Sequence, residues 1–218
     1  ADIEIEGRAM GAFELVGPRA EEGRERLLDG IKEAHALGAR IIRTGYGRLN
    51  VATSRFNREW PIAEHLGHLV ANLKEANKIV SDNGLLLAIE NHCDFTGKQL
   101  AQVFDEVGSP NVGCALDTAN PYTVYCDADE DCEILAPYAI TTHMKDMVMV
   151  DAASIPEIKA LPFIHIPMIA TGVAVGDGNM NIPQVIKTLG AKSPHAEGMH
   201  LIIETGWIAY RPEDDKPK

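Results

Sequence analysis

The chain has 218 residues, 45% hydrophobic and 24% charged, ordinary proportions for a globular fold with one substantial core. Its formal net charge of -12 is spread along the chain rather than gathered in a tail, which disfavours a nucleic-acid partner, because phosphate backbones are held by clustered Lys and Arg. No apolar run approaches the roughly 18 residues of a membrane span and no leader pattern opens the chain, so a cytoplasmic protein with no membrane partner is expected.

Ile3 and Ile5 predict a short strand ending near Gly7. Ala1 stands where a methionine is usual, and the chain enters directly as a strand, so its true N-terminus is expected to be missing. Glu21 to Leu37 carries Leu27, Leu28, Ile31, Ala34 and Leu37 at helical spacing, with Gly38 as a stop. Ala39 to Tyr46 reads as a strand holding Arg43, and Arg48 to Trp60 as a polar loop. Ile62, Leu66, Leu69, Val70, Leu73, Ala76, Ile79 and Val80 form one helical stripe closed by Asn83-Gly84. On the same helix His65 and His68 fall off that stripe and are expected to face solvent.

Leu85 to Glu90 is the next strand. Thr96 and Gln99 are spaced as a capping box for a helix bearing Leu100, Val103, Phe104 and Val107. Val112 to Asp117 is a strand, Asp131 to Tyr138 a short helix, and Ala139 to His143 another strand. Met147 to Gly172 is the least regular stretch, with Pro156, Pro162 and Pro167, and is expected to be an inserted lid or interface element. Asn181 caps a helix with Pro183 in its first turn, His200 to Glu204 is the last strand, and Arg211 to Lys218 is a charged tail.

This is strand-helix alternation in one domain, 1–218, which calls for a parallel sheet, closed or open. An open dinucleotide-binding sheet lacks its glycine fingerprint, since no GxGxxG follows an early strand. A complete (β/α)8 barrel needs two more strands than the six counted and usually about 250 residues. Cys93, Cys114, Cys126 and Cys132 form no CxxC pair and read as reduced thiols.

Four of the apolar runs end on a potential ligand: LLLAIE on Glu90, VGCALD on Asp117, AITTH on His143 and HLIIE on Glu204. Runs of this kind are how buried parallel strands read, so the four polar ends fall on one rim of the sheet, as in an active site at the C-terminal face of a barrel. A glutamate pair, an aspartate and an imidazole suit Mn, Mg, Co or Zn.

AIENH at 88–92, LDTAN at 116–120, THMKD at 142–146, VGDGNMN at 175–181 and IETGW at 203–207 resemble the xylose-isomerase-like TIM-barrel superfamily of sugar isomerases and epimerases. The pattern is most similar to ketose 3-epimerases and hydroxypyruvate isomerases. The resemblance covers about residues 39–207 and implies a (β/α)8 barrel lacking its first two βα units. It also implies one divalent metal ion, commonly Mn, on Glu90, Asp117, His143 and Glu204, with Glu90 and Glu204 as the acid/base pair. Asn120 stands where 3-epimerases often have a histidine, and the segment from His143 to Glu204 is longer than in compact members.

The chemistry implied is proton abstraction from a hydroxy-ketone through an enediolate, with return of the proton to the same or a neighbouring carbon. His92, Lys145, Arg43 and Trp207 are candidate substrate contacts, with Trp60 a further candidate wall; His35, His165 and His195 have no ligand-like company. A small sugar or sugar-derived substrate is expected, unphosphorylated because no Gly-rich phosphate cradle is present, in a homo- or hetero-oligomer. The same scaffold accommodates a lyase, either a dehydratase or a C-glycoside deglycosidase acting on an oxidised sugar. An endonuclease-IV-like phosphodiesterase would need more rim histidines, and a catalytically silent subunit would not need both glutamates.

Overall fold

A computed structural model describes residues 4–9, 15–46, 57–155 and 168–206. Its frame is an all-parallel sheet of six strands: β1 (Glu6–Arg8), β2 (Ile41–Gly45), β3 (Leu86–Glu90), β4 (Val112–Asp117), β5 (Ala139–Met144) and β8 (Leu201–Ile203), paired in that order. Between them run α1 (Ala20–Ala36), α2 (Ile62–Asp82), α3 (Gly97–Val107), α4 (Ala128–Leu135) and α5 (Ile182–Lys192). Neighbouring strands joined by helical crossovers, all parallel, are the unit from which β/α barrels are wound.

Side chains alternate along each strand, so each strand has a helix-facing and an inward-facing set. Ile42, Leu87, Ile89, Cys114 and Leu116 face outward and share one core with Leu27, Ile31, Leu69, Leu73, Leu100 and Phe104 of the helices. Ala88, Ala115 and Ile140 pack together inside, with Ile41 and Leu86 against them. Small inward residues let the sheet curl tightly. The curl is visible in Glu6 of β1, which accepts a 2.6 Å hydrogen bond from Thr141 of β5 although three strands separate them in the sheet.

Each helix starts where local chemistry allows it. Thr96 and Gln99 form the reciprocal capping box of α3, and Asn181 caps α5 with Pro183 in its first turn. The fourth helix begins earlier than the pattern predicts, at Ala128, because Asp127 accepts the Glu130 N–H as an N-cap. The opening strand also differs. Ile5 is 55% exposed and precedes β1, since backbone pairing to Ile41–Arg43, not the apolar pair, sets where this edge strand lies.

Two further corrections concern burial and regularity. His65 is 6% exposed, not solvent-facing, because on α2 it stacks one turn before Leu69 and Leu73 on the buried face; His68 is exposed as expected. The irregular stretch begins and ends as strands: β6 (Asp146–Asp151) pairs antiparallel with β7 (Met168–Val173) in a separate ribbon. Asp146 ties this ribbon to the loop before α5, accepting backbone N–H groups from Gly176 at 3.0 Å, Gly178 at 3.0 Å and Met180 at 3.1 Å. A side chain at Gly178 would collide with that carboxylate, its Cβ falling 2.0 Å from Oδ1. Among the described residues no helix is long and apolar enough to cross a membrane.

At the N-terminal end of the sheet, His200 binds two carboxylates at once: Nδ1 lies 2.7 Å from Glu6 and Nε2 2.7 Å from Glu4. Both ring nitrogens can donate only in the imidazolium. These bonds hold the His200 pKa above its ordinary value. A group whose folded pKa is raised adds stability below its unfolded pKa and loses it as pH rises through the folded one. The stability difference between the wild type and His200→Gln should therefore be largest below about pH 6.5, at no more than about 1 kcal/mol, and shrink at higher pH. Urea unfolding of both proteins at pH 5.5 and 8.5 measures it, and a difference that grows with pH would refute the latch.

Candidate metal centre

The parity that points Leu86 and Ala88 inward also points Glu90 inward at the end of β3. Asp117 follows Ala115 on β4 in the same way, and His143 follows Thr141 on β5. Glu204 lies one residue beyond β8, its N–H bound to the Met144 carbonyl at 3.1 Å. The register sets Asp117 beside His143 across β4 and β5. One ligand atom from each of Glu90, Asp117, His143 and Glu204 lies within 4.8 Å of every other. His143 Nδ1 sits among the carboxylates, 2.9 Å from Glu204 Oε2, 3.3 Å from Glu90 Oε1 and 3.9 Å from Asp117 Oδ2.

Two cations brace this set. Lys145, 2% exposed, places Nζ 2.7 Å from Asp117 Oδ2 and 3.2 Å from Glu204 Oε2, and donates to Asn120 Oδ1 at 3.1 Å. Arg43 Nη1 donates to Glu90 Oε2 at 3.0 Å and lies 3.3 Å from His143 Nδ1. Arg43 is thus at the centre, where the sequence pattern expected a substrate contact, and Lys145 meets the acidic partners rather than open space. His92 follows Glu90 closely enough for its charge to act on that carboxylate. Trp207 lies outside the described residues. Trp60 has its ring against Gly17.

Amide and hydroxyl groups not foreseen in the motif reading fix the ligands. The Asn91 side chain accepts the Asp117 N–H at 2.6 Å and donates to the Asp117 carbonyl at 2.8 Å, standing in for a strand neighbour where β3 has ended. Thr118 receives the Lys145 N–H at 2.8 Å and donates to the Lys145 carbonyl. Asp117 Oδ1 accepts the N–H groups of Ala119 and Asn120 at 3.0 and 2.9 Å, which leaves Oδ2 for the centre. Asn120 also donates weakly to Glu90 Oε1, at 3.5 Å. The sequence signal for these residues is only their adjacency to a strand-end acid.

The electrostatics follow from depth and neighbours. Burial pushes the Asp117 carboxyl up to about 6, against the opposing pull of Lys145. Burial also opposes charge on Glu90, but the His143 hydrogen bond and the His143, Arg43 and His92 charges outweigh it and bring Glu90 down to about 2. Lys145 is penalised by burial, yet Asp117 and Glu204 hold its pKa above the ordinary value.

These residues fit a divalent cation. Asp117 Oδ2 and Glu204 Oε2 are buried oxygens without an aligned hydrogen bond, and both face the His143 imidazole. Oxygen donors with one nitrogen match Mg, Mn or Zn rather than a thiolate-preferring metal. Cys93, Cys114, Cys126 and Cys132 are free thiols, none of them in the ligand group.

The chain belongs to the xylose isomerase-like TIM barrel family, whose model matches residues 5–216. Its fold is similar to that of a D-tagatose 3-epimerase-like protein, at 19% identity and a TM-score of 0.66, over 93% of this chain and 71% of that one. A xylose isomerase-like TIM barrel protein from Mycobacterium smegmatis, solved with magnesium, matches at 14% identity and a TM-score of 0.66, over 92% of this chain and 65% of that one. Mannonate dehydratase from Streptococcus suis matches at 10% identity and a TM-score of 0.65, over 97% of this chain and 70% of that one. The chain spans 62–71% of the length of the solved structures it resembles. A comparison with curated protein sequences gives no match.

Lys145 and a divalent ion share the same carboxylates. Lys145→Met should cost the metal-free protein on the order of 3 kcal/mol, because Asp117 is left buried without its cation. Added Mn2+ should then raise the melting temperature more in the variant than in the wild type, since one repelling charge is gone. Thermal melts with and without Mn2+ test this, and equal metal shifts in the two proteins would count against the shared site.

Proposed function

We propose that this member of the xylose isomerase-like TIM barrel family is a divalent-metal-dependent isomerase or epimerase acting on a small hydroxy-keto sugar or sugar derivative. The observation that carries the reading is the convergence of Glu90, Asp117, His143 and Glu204 on one point at the C-terminal rim of a parallel sheet. Mn is the ion we favour, and magnesium in the Mycobacterium smegmatis structure agrees with a hard cation on this scaffold. When bound, such an ion polarises the carbonyl of a chelated hydroxy-ketone and stabilises the enediolate charge left by proton removal.

The protein's own groups divide the remaining work. Asp117 is fully buried, has one oxygen held by two backbone amides, and serves only to hold the ion. His143 contributes its Nδ1 to the same purpose. Glu204 has a side chain 42% exposed, so substrate reaches it, and its oxygen not engaged by the ion removes or returns the proton. Glu90 stands three strands away in the sheet and takes the other role. Its lowered pKa keeps it ionised at neutral pH, ready to accept a proton though weakly basic. His92 and Lys145 would hold substrate oxygens, or in the case of Lys145 keep the carboxylates apart from one another.

A second reading keeps the site and expels a β-hydroxyl after proton removal. Likeness in fold to a mannonate dehydratase supports it, with Lys145 beside Glu204 as the proton source for the leaving group. Incubation with Mn2+ and a ketose panel in D2O separates the two: deuterium uptake next to the carbonyl without net loss of substrate supports the isomerase, and accumulation of a dehydrated product would overturn it. Asp117→Ala should lose bound metal by elemental analysis. Glu204→Gln should retain part of it and lose exchange by a factor of roughly a hundred or more. Full exchange in Glu204→Gln would end the two-carboxylate mechanism.

A further inference from the structure

We infer, on the metal-centred reading above, that Asn91 and Thr118 are positioning residues, each placing one group of the centre on the strand next to its own. Asn91 sets Asp117 for the metal, and Thr118 sets Lys145 between Asp117 and Glu204.

The ladder between parallel strands shows what each side chain replaces. In a parallel pair every second residue of a strand bonds its neighbour through both its N–H and its carbonyl. Between β3 and β4, Leu87 donates to the Asn111 carbonyl at 2.8 Å, and counting on by twos along the register sends the Asp117 N–H to the carbonyl of Asn91. It goes to the Asn91 side chain instead, with Oδ1 at 2.6 Å. Between β4 and β5, Thr118 donates to the His143 carbonyl at 3.0 Å, so the next bond should run from the Lys145 N–H to the Thr118 carbonyl. That N–H meets Thr118 Oγ1 at 2.8 Å, while the Thr118 carbonyl turns to the Cys132 thiol, which donates to it at 3.7 Å. In both places a side-chain oxygen has taken over from the carbonyl of its own residue. Each side chain also donates back, Asn91 to the Asp117 carbonyl at 2.8 Å and Thr118 to the Lys145 carbonyl.

The exchange is needed because both chains leave the strand immediately after their ligand. The His92 N–H folds back on the Glu90 carbonyl at 3.0 Å, and Asp117 Oδ1 gathers the N–H groups of Ala119 and Asn120 where a short 3-10 helix begins. The third junction provides a contrast. There β5 runs on one residue past His143, and the Glu204 N–H reaches the main-chain carbonyl of Met144 at 3.1 Å. The residue after the ligand is apolar where the ladder is intact and polar at the two places where it is broken. Asn91 is 2% exposed and Thr118 fully buried, so the bonds they make are shielded from solvent.

The two residues do different work. Asp117 Oδ2 faces the centre only while the main chain of Asp117 is held at its depth, and losing Asn91 frees both main-chain groups of that ligand. Lys145 is not a ligand. Losing the Thr118 hydroxyl therefore loosens an ammonium and leaves the oxygens for the ion in place.

Asn91→Ala should weaken Mn2+ binding by roughly tenfold or more in calorimetric titration, whereas Thr118→Val, which keeps the shape and loses the hydroxyl, should stay within about threefold of the wild type. Amide hydrogen exchange read by NMR should separate the same variants site by site. The Asp117 amide should exchange roughly a hundredfold faster in Asn91→Ala alone, and the Lys145 amide in Thr118→Val alone. Thr118→Ser, which restores the hydroxyl, should protect the Lys145 amide as the wild type does. If Asn91→Ala does not fold, Asn91→Ser takes its place with the same two readouts. Equal loss of Mn2+ affinity in the Asn91 and Thr118→Val variants would overturn the inference by making both residues plain packing. Unchanged Mn2+ affinity in the Asn91 variant would overturn it too, as would a protected Lys145 amide in Thr118→Val. A wild type that takes up no Mn2+ would instead sink the metal-centred reading, and the amide measurements would still decide whether Asn91 and Thr118 place their partners.

Discussion

Three carboxylates and one imidazole are held within a few ångströms of each other, and the mutual repulsion of the acids is the constraint the rest of the site answers. At such distances like charges in a partly buried setting cost several kcal/mol unless something offsets them. Lys145 lies between Asp117 and Glu204, and Arg43 lies against Glu90, so each acid has a cation within 3.2 Å. Backbone amides at residues 119 and 120 and the Asn91 amide then fix Asp117 from the other side. A metal ion would be competing with permanent tenants for the same oxygens, which makes the centre preorganised before any ion arrives.

Strand parity is what brings the acids together. Because side chains alternate, the residue two before each strand-borne ligand faces inward with it, and Ala88, Ala115 and Thr141 fill that layer, with Ile140 packed against the two alanines across the irregular register of β4 and β5. The repeated run of apolar residues ending in an acid or histidine is therefore readable from the sequence, as are the six strands of the parallel sheet and the capping signals of α3 and α5. Each of these is a local rule, with the ligand position following from a period of two and the helix start from one hydroxyl or amide.

What stayed illegible depended on reach or on partners distant in sequence. Arg43 and Lys145 read as candidate substrate contacts, and what the motifs do not show is that the length of both side chains also carries their tips onto Glu90, Asp117 and Glu204. Asn91 looks like an ordinary loop residue after Glu90, and only the parallel register with β4 shows it replacing a missing strand partner. His65 is buried against expectation because burial on α2 is decided by which face meets the sheet, and a half-polar ring one turn before Leu69 is carried along with that face. The ribbon of β6 and β7 is hidden in the sequence by prolines that fall between its strands rather than in them, although Met147–Val150 is an apolar run of strand type.

The carboxylate of Asp146 holds the loop before α5 entirely through main-chain amides. That grip fixes Gly178 and the spacing of the three amides, while Gly176 is held to glycine by its φ of +99° and Met180 by its burial in the core. Asp177, exposed between the two glycines, lies outside these constraints, so the loop can change its chemistry there at constant length. Substitution at that one position can alter what the loop presents without disturbing the strand that carries His143, whereas an insertion or deletion would break the spacing of the three amides on Asp146.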